Sequence, residues 1–319
     1  GIIKNNKKIR STLTSLDIIT LHKELEKMAE EKINNVIIEA SSHGLDQGRL
    51  NGIDFKACVF TNFSQDHLDY HKNMMKYFNA KLILIKKLMQ KNSFLITDSS
   101  IKKYKTLKKI SLKKKIKIID IKNSHLINQF TANNLIGSFQ MNNLIMSSIA
   151  AEKCGLKNYD IISKINNIKN VEGRVELIKT LPNKTKIFID YAHTPDALLN
   201  VLKSLKEHFK TKITLVFGCG GDRDISKRKV MANIASKYCN KIYVTDDNPR
   251  NESPRKIRND IIRHVSIKDC QEIADREKAI KNSIRNSNFY DIILIAGKGH
   301  ETLQDYGKKK FYFSDKIVI

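Results

Sequence analysis

Ile18, Leu21, Leu25 and Met28 recur at the spacing of one helical face, on a segment that runs to about Glu31. The run Val36, Ile37, Ile38 then predicts a buried strand, and a polar loop follows over residues 41–51. Residues 57–60 predict a second strand, which opens into a polar loop over 61–71. Residues 74–89 read as a helix and 94–97 as another strand. The stretch 141–154 has a helical pattern and stops at Gly155, a residue suited to the left-handed position that ends helices.

A second unit opens near Glu172. Its strands are predicted at 187–189, 213–217, 242–245 and 292–296. Thr194 and Pro195 supply an N-cap and a first-turn proline for the helix after the first of these. Further helices fit 227–239, 254–264 and 276–285, with Ser226, Ser253 and Asp275 as caps. Strands that alternate with helices imply the α/β class, a mostly parallel sheet covered on both faces. The 13 Gly and 4 Pro gather at strand ends, where open α/β sheets bind their ligands.

Composition narrows the class of partner. The chain has 319 residues, with 58 Lys plus Arg against 33 Asp plus Glu, a formal net charge of +25. That length suits two domains with sizeable cores, and 41% apolar residues argue against disorder. No apolar run approaches the ~18 residues of a membrane span and no signal peptide opens the chain, so a cytoplasmic protein without membrane insertion is expected. The positive charge is mostly Lys dispersed among Asn and Ile, and its densest run, 102–117, reads as a solvated surface segment. Aromatic-interleaved RNA-binding signatures are absent, so no nucleic-acid partner is expected; the rival reading requires a salt-dependent shift with DNA or RNA. The 5 Cys are scattered without a CxxC pair, which disfavours a zinc site or a disulfide framework. The first residue is Gly1 rather than Met, and a segment upstream is expected.

The loops at the strand ends carry the chemistry. Glu39 to Arg49 place a carboxylate at a strand end before Ser, His, Gln and Arg, a set that can hold Mg²⁺ and an anionic ligand together. A capped surface turn accounts for the same residues. Asn62 to His71 bring two Asp and two His; the residue types admit zinc, though no Cys joins them, and a hydrogen-bonded polar loop is the other reading. In the second unit, Asp190 and His193 follow one strand, and Gly218-Cys219-Gly220-Gly221-Asp222-Arg223-Asp224 follows the next. Amides of such a glycine turn can cradle an anion, and arginines can hold carboxylates through two parallel hydrogen bonds. The turn is not GxGxxG, so a nicotinamide site is disfavoured. Asp246-Asp247-Asn248-Pro249-Arg250 and Gly297-Lys298-Gly299-His300-Glu301 end two further strands.

In order along the chain stand EASSHGLDQGRL, TNFSQDHLDYH, an NAK ending at Lys81, VEGRVE, DYAHTPDAL, FGCGGDRD, DDNPR and GKGHE. With these motifs at this spacing, between Thr12 and Asp315, the sequence resembles the Mur ligases of peptidoglycan synthesis. Within them it is most similar to the branch that adds diaminopimelate. The resemblance implies a central ATPase domain over residues 1–172, truncated at its N-terminus, and a C-terminal Rossmann-like, amino-acid-binding domain over 173–319. The family's uridine-binding domain is not represented.

The activity it implies is ATP-dependent addition of meso-diaminopimelate to UDP-N-acetylmuramoyl-L-alanyl-D-glutamate through an acyl phosphate, with ATP and Mg²⁺ as cofactors. Small-molecule substrates and a monomer follow from the same resemblance. Carried over position by position, Thr14, Ser15, Ser41, Gln47 and Arg49 match contacts to the UDP-muramoyl dipeptide. Glu39 and His67 match Mg²⁺ ligands, and Lys81 the lysine that the family carbamylates, which makes it a ligand to a second Mg²⁺. Asn143, Arg174 and Asp190 match contacts to adenine, phosphate and ribose. Arg223, Asp247, Asn248, Pro249, Arg250, Gly297 and Glu301 match the amino-acid pocket.

Leu16, Gln140 and Lys229 depart from the family pattern without removing a chemical group. The larger departure is that no Gly-x-x-x-x-Gly-Lys-[ST] phosphate loop occurs in the 319 residues, so the chain alone is expected to be inactive. The alternatives are an inactive fragment or a sister ligase, either a lysine-adding Mur ligase or a folylpolyglutamate synthase. The DNPR run argues against both sisters.

Overall fold

The structure, a computed structural model, describes residues 2–4, 7–9, 11, 13–124, 135–165, 168 and 170–319, with Lys7 and Lys8 described by backbone alone. Thr12, where the family resemblance begins, lies outside the described residues. The chain divides into two compact bodies, one drawn from residues 1–63, 71–131 and 142–167, the other from 64–70, 132–141 and 168–319.

In chain order the first half holds strands β1 (Ile2–Lys4) and β2 (Lys7–Ile9), helices α1 (Ile18–Glu30) and α2 (Ser42–Asp46), and strand β3 (Phe55–Phe60). Helices α3 (Leu68–His71) and α4 (Met74–Ile83) follow, then strand β4 (Met89–Thr97), helix α5 (Tyr104–Lys113) and strand β5 (Lys117–Asp120). Helices α6 (Ser138–Lys153) and α7 (Asn158–Ile165) complete it. β3, β4 and β5 form a parallel sheet in that order. Its core gathers Cys58, Phe60, Phe78, Leu82, Ile85, Leu95, Leu107 and Ile116. α1 forms as its spacing predicts, with Asp17 capping it through the Thr20 amide and with Leu21 and Met28 buried.

Three expectations change here. Residues 36–38 are not a strand: Val36 is exposed, Ile37 is 99% exposed, and no described strand lies alongside them. An apolar run becomes a strand only when a neighbour takes its backbone hydrogen bonds. The helix predicted to reach Met89 ends earlier, in a π-helical turn over Leu84–Leu88, and Met89 already pairs with Phe55 in the sheet. The polar stretch Gln90-Lys91-Asn92 looks like a break between helix and strand but lies exposed within β4 itself. The lysine-rich run is more than solvated surface, because α5 buries Leu107 and Ser111 and turns its lysines outward.

The second body holds β6 (Glu176–Thr180), β7 (Lys186–Asp190), α8 (Pro195–Phe209), β8 (Ile213–Phe217), α9 (Ser226–Tyr238) and β9 (Lys241–Val244). It continues with α10 (Pro254–Ile262), β10 (Cys270–Glu272), α11 (Arg276–Arg285), β11 (Ile292–Ala296), a hairpin of β12 (Leu303–Asp305) and β13 (Lys310–Tyr312), and α12 (Asp315–Val318). The sheet order is β10-β9-β8-β11-β7-β6, parallel except for β6 at the edge. Alternate residues of the central strands face opposite layers: Ile213, Leu215, Phe217, Ile292 and Leu294 join the cluster under α8 to α10, and Val216, Tyr243, Ile293 and Ile295 join Ala279 and Ile280 of α11. Both faces are covered, which is why these strands read as nearly continuous apolar runs. β6 gave no such signal because it lies at the edge, with Leu177, Lys179 and Thr180 not buried. Thr194, Ser253 and Asp275 cap their helices as expected. Ser226 does not: it is the first helical residue, and its amide and hydroxyl both donate to Asp224 Oδ1, at 3.0 and 2.6 Å.

The 5 cysteines form no disulfide. Among the described residues no helix is long and apolar enough to cross a membrane.

Candidate functional site

In the first body the site residues collect around α2. Ser41 is its N-cap, accepting from the Gly44 amide at 3.0 Å. Ser15, 2% exposed, donates to the Glu39 carbonyl at 2.8 Å and accepts from the Ser41 amide at 3.0 Å. A serine has one hydroxyl proton, so in the 2.9 Å contact between the two hydroxyls Ser41 donates. Arg49 Nη1 donates to the Ser15 carbonyl at 3.0 Å and its Nη2 to Gln47 Oε1. Gly44 is required, since a Cβ there would stand 2.7 Å from Ser15 Cβ.

Ser15, Ser41, Gln47 and Arg49 are thus brought together, with Thr14 exposed beside them and the Glu39 carboxylate exposed at the same turn. Deeper in this body, His71 Nε2 lies 2.9 Å from Ser42 Oγ, and its ring meets those of His43 and Tyr77. Lys81, one turn beyond Tyr77 on α4, holds its Nζ 5.1 Å from the Tyr77 ring centroid. Asn143 is exposed on α6.

The second body carries His67, which has φ 56°, with its amide donating to Asp66 Oδ1 at 2.8 Å and its Nε2 3.3 Å from Asp66 Oδ2. Among the described residues no three His, Cys, Asp or Glu side chains gather as a metal-binding group. Gln65 donates to Asp224 at 2.6 Å and Arg223 pairs with Asp69 at 3.0 Å.

At the end of β7, Asp190 is 4% exposed and accepts from the Val175 amide at 2.7 Å. Burial pushes its carboxyl up to about 6, against the pull of that amide and of Arg174. Arg174 itself lies 4.7 Å from the ring centroid of Tyr191, whose hydroxyl burial raises to about 12. The two nucleotide candidates in this body thus lie near each other, Arg174 over the ring of the residue that follows Asp190.

Because its folded value lies above the ordinary 3.8, Asp190 contributes fully to stability below about pH 4 and loses that contribution as pH rises through about 6. The loss is on the order of 3 kcal/mol. Asp190→Asn should therefore gain stability relative to wild type by that amount between about pH 4 and 7.5, read by urea unfolding at both ends. Parallel pH profiles for the two proteins would show that burial does not set this carboxyl.

The glycine turn after β8 departs from expectation. Gly221 donates its amide to the Asn248 carbonyl at 3.0 Å and Asp222 donates its own to Glu252 at 2.7 Å, so these amides do not form an anion cradle. The glycines instead admit the neighbouring loop: a Cβ at Gly221 would lie 1.9 Å from the Pro249 carbonyl. Beyond that contact Arg250, at φ 52°, donates Nη1 to the Gly221 carbonyl at 2.8 Å.

Asp247 and Asn248 are buried, and Gly297, at φ 112°, passes so close that its Cβ would stand 2.5 Å from Asp247 Oδ2. Asn248 Nδ2 donates to Glu301 Oε2 at 3.0 Å. Asp247, Asn248, Pro249, Arg250, Gly297 and Glu301 thus line one edge of the sheet.

Sequence reasoning passed over two buried cations beneath this edge. Lys298 is 0% exposed and donates to Asn248, Glu301 and the Leu303 carbonyl. Arg276 pairs with Asp315 through two hydrogen bonds of 2.7 and 2.8 Å and adds one to the Ala296 carbonyl. In a sequence a lysine or arginine reads as surface, and only the flanking Gly297 and Gly299 hinted that Lys298 sits at a sharp turn.

Comparison with known proteins bears on these features. Residues 1–171 match the family described as Mur ligase middle domain, and residues 173–299 match Mur ligase, glutamate ligase domain. A UDP-N-acetylmuramoyl-L-alanyl-D-glutamate--2,6-diaminopimelate ligase of Rickettsia montanensis is 42% identical over 331 residues, which cover 96% of this chain and 68% of that protein. The protein of that name in Wigglesworthia glossinidia brevipalpis is 40% identical over 348 residues, covering 100% of this chain and 69% of its own. A solved structure with the same name superposes with TM-score 0.58 at 32% identity, covering 95% of this chain and 67% of that one. A Mycobacterium tuberculosis folylpolyglutamate synthase complexed with ADP and AMPPCP shares the fold at TM-score 0.62 and 16% identity, covering 77% of this chain and 62% of that one.

Proposed function

Since the chain belongs to the Mur ligase family, we propose that it joins meso-diaminopimelate to UDP-N-acetylmuramoyl-L-alanyl-D-glutamate at the expense of ATP. One observation of the site carries the choice of amino acid: the guanidinium of Arg250 and the carboxylate of Glu301 stand on the same sheet edge, joined through Asn248. That pairing suits a ligand end that carries both a carboxylate and an ammonium. The similarity to ligases named for 2,6-diaminopimelate supports the same reading.

In this reading the γ-carboxylate of the D-glutamyl residue attacks the γ-phosphorus of ATP, and ADP leaves. The amine of diaminopimelate then attacks the acyl phosphate and phosphate departs. Such chemistry depends on positioning and charge neutralisation. Thr14, Ser15, Ser41, Gln47 and Arg49 hold the dipeptide, with the Ser15 hydroxyl bracing the loop from inside. Asn143, Arg174 and Asp190 hold the nucleotide. Arg223, Asp247, Pro249 and Gly297 complete the amino-acid pocket around Asn248, Arg250 and Glu301.

Mg²⁺, when bound, would supply positive charge against the phosphate oxygens. The Glu39 carboxylate would offer Mg²⁺ an oxygen donor and His67 an imidazole nitrogen, while Lys81, as a carbamate, would offer oxygen to a second ion. We place the protein in the cytoplasm as a monomer acting on small molecules.

Ligation with diaminopimelate and lysine in competition tests the reading; the product mass should show diaminopimelate, and a lysine product would overturn it. No Gly-x-x-x-x-Gly-Lys-[ST] segment occurs in the 319 residues. A polypeptide of these residues alone is therefore expected to release no phosphate from ATP above background. Adding a segment with that loop and a uridine-binding domain should restore ligation, and that extended enzyme is the one in which ligation is measured. Phosphate release by the short polypeptide that needs both substrates would contradict this.

A further inference from the structure

Lys298 has no side-chain exposure, and burying an ammonium is costly unless every proton is used. Here each is. Nζ donates to Asn248 Oδ1 at 3.0 Å, to Glu301 Oε2 at 3.2 Å and to the Leu303 carbonyl at 2.6 Å. The flanking glycines, at φ 112° and 55°, turn the chain sharply on both sides of it. A Cβ at Gly299 would stand 2.9 Å from the Gly173 carbonyl, so this turn is packed as well as bent.

Two consequences follow for the residues above. Asn248 Oδ1 accepts from both the ammonium and the Asp305 amide, at 3.0 Å each. The amide can then take only one orientation, with Nδ2 donating to Glu301 Oε2. Glu301 Oε2 in turn receives both Asn248 Nδ2 and Lys298 Nζ. Two donors thus hold Oε2, and the Tyr191 hydroxyl also hydrogen-bonds this carboxylate, so Glu301 is kept in one orientation.

We propose that Lys298 is a positioning residue for the amino-acid pocket: its buried ammonium fixes the Asn248 amide and ties down one oxygen of Glu301, so that the carboxylate is held in one orientation for the ligand's ammonium. This rests on the reading of Asn248 and Glu301 as amino-acid contacts. An apolar side chain of similar length would fill the same space, so a merely structural role would not need the charge.

Lys298→Met should raise the KM for the amino acid by about 10- to 100-fold, with kcat and the KM values for ATP and the dipeptide within about 3-fold of wild type. Glu301→Gln and the double variant close a cycle. If Lys298 acts through Glu301, the double variant should be scarcely worse than the worse single one. Additive effects, or a loss confined to kcat, would overturn the proposal.

A measurement without substrate keeps it testable if Lys298→Met does not fold. In wild-type protein labelled with ¹⁵N-lysine, one ammonium should exchange slowly with water, and Glu301→Gln should shift its resonance. No protected ammonium, or one indifferent to Glu301, would refute the arrangement. If the wild type uses a different amino acid, the substrate assignment falls while the same KM split is read on the amino acid that is used.

Discussion

Lys81→Ala is expected to lower ligation by about 10²- to 10³-fold, and short carboxylates such as formate or acetate should restore part of it. The position is well fixed: Asn73 caps α4, and Tyr77, Phe78 and Leu82 bury the helix face that anchors it. The ammonium lies 5.1 Å from the Tyr77 ring centroid, a setting that suits a cation. Beside Mg²⁺ the same cation is repelled.

In the proposed reading, reaction of the neutral amine with CO₂ would resolve the conflict. An N–C bond forms, a proton leaves to solvent, and the side-chain end becomes anionic with oxygen donors. Alanine removes those oxygens, and a diffusing carboxylate replaces them without the tether. In ¹³C-bicarbonate the wild type should show a carbamate resonance that Lys81→Ala lacks. Full activity in the alanine variant, or no rescue together with no carbamate signal, would rule the role out.

The part of the fold that was legible in the sequence is the part with one physical cause. Strands β7, β8, β9 and β11 are covered on both faces, so their middle residues are mostly apolar and the run announces itself. The same rule failed at residues 36–38, where Ile37 is 99% exposed, because apolar content does not say whether a neighbouring strand exists. β6 was missed for the opposite reason, an edge strand with little buried surface.

The site divides in the same way. Acids, arginines and glycines at strand ends could be found from motif order, since topology places those ends together. Their partners could not. Nothing in a string of residues says that Gly221 is there to admit the Pro249 carbonyl, or that Arg223 meets Asp69, 154 positions away. Lys298 and Arg276 look like surface charges in a chain with 58 Lys plus Arg, and burial alone sets them apart.

Arg250→Ala should cut the use of diaminopimelate by about 10- to 100-fold in kcat/KM, and any residual use of lysine far less. Diaminopimelate differs from lysine by a carboxylate on the carbon that bears the distal amine, so the choice depends on a group that binds that carboxylate. Arg250 is the group proposed for it. Its backbone amide donates to the Asp305 carbonyl at 3.0 Å, and Nη1 donates to the Gly221 carbonyl at 2.8 Å. These bonds fix the plane of the guanidinium, whose remaining edge can meet a carboxylate through two parallel hydrogen bonds. In the proposed reading Glu301, held by Asn248 and Lys298, is the acceptor for the neighbouring ammonium.

Lysine satisfies Glu301 but leaves that edge of Arg250 without a partner in a half-buried place, at a cost of about 1–3 kcal/mol. Truncation to alanine removes the penalty for lysine together with the bond to diaminopimelate, so the ratio of the two products is the sensitive quantity. A wild-type enzyme that favours lysine, or an alanine variant with the wild-type product ratio, would show that Arg250 does not read the distal carboxylate.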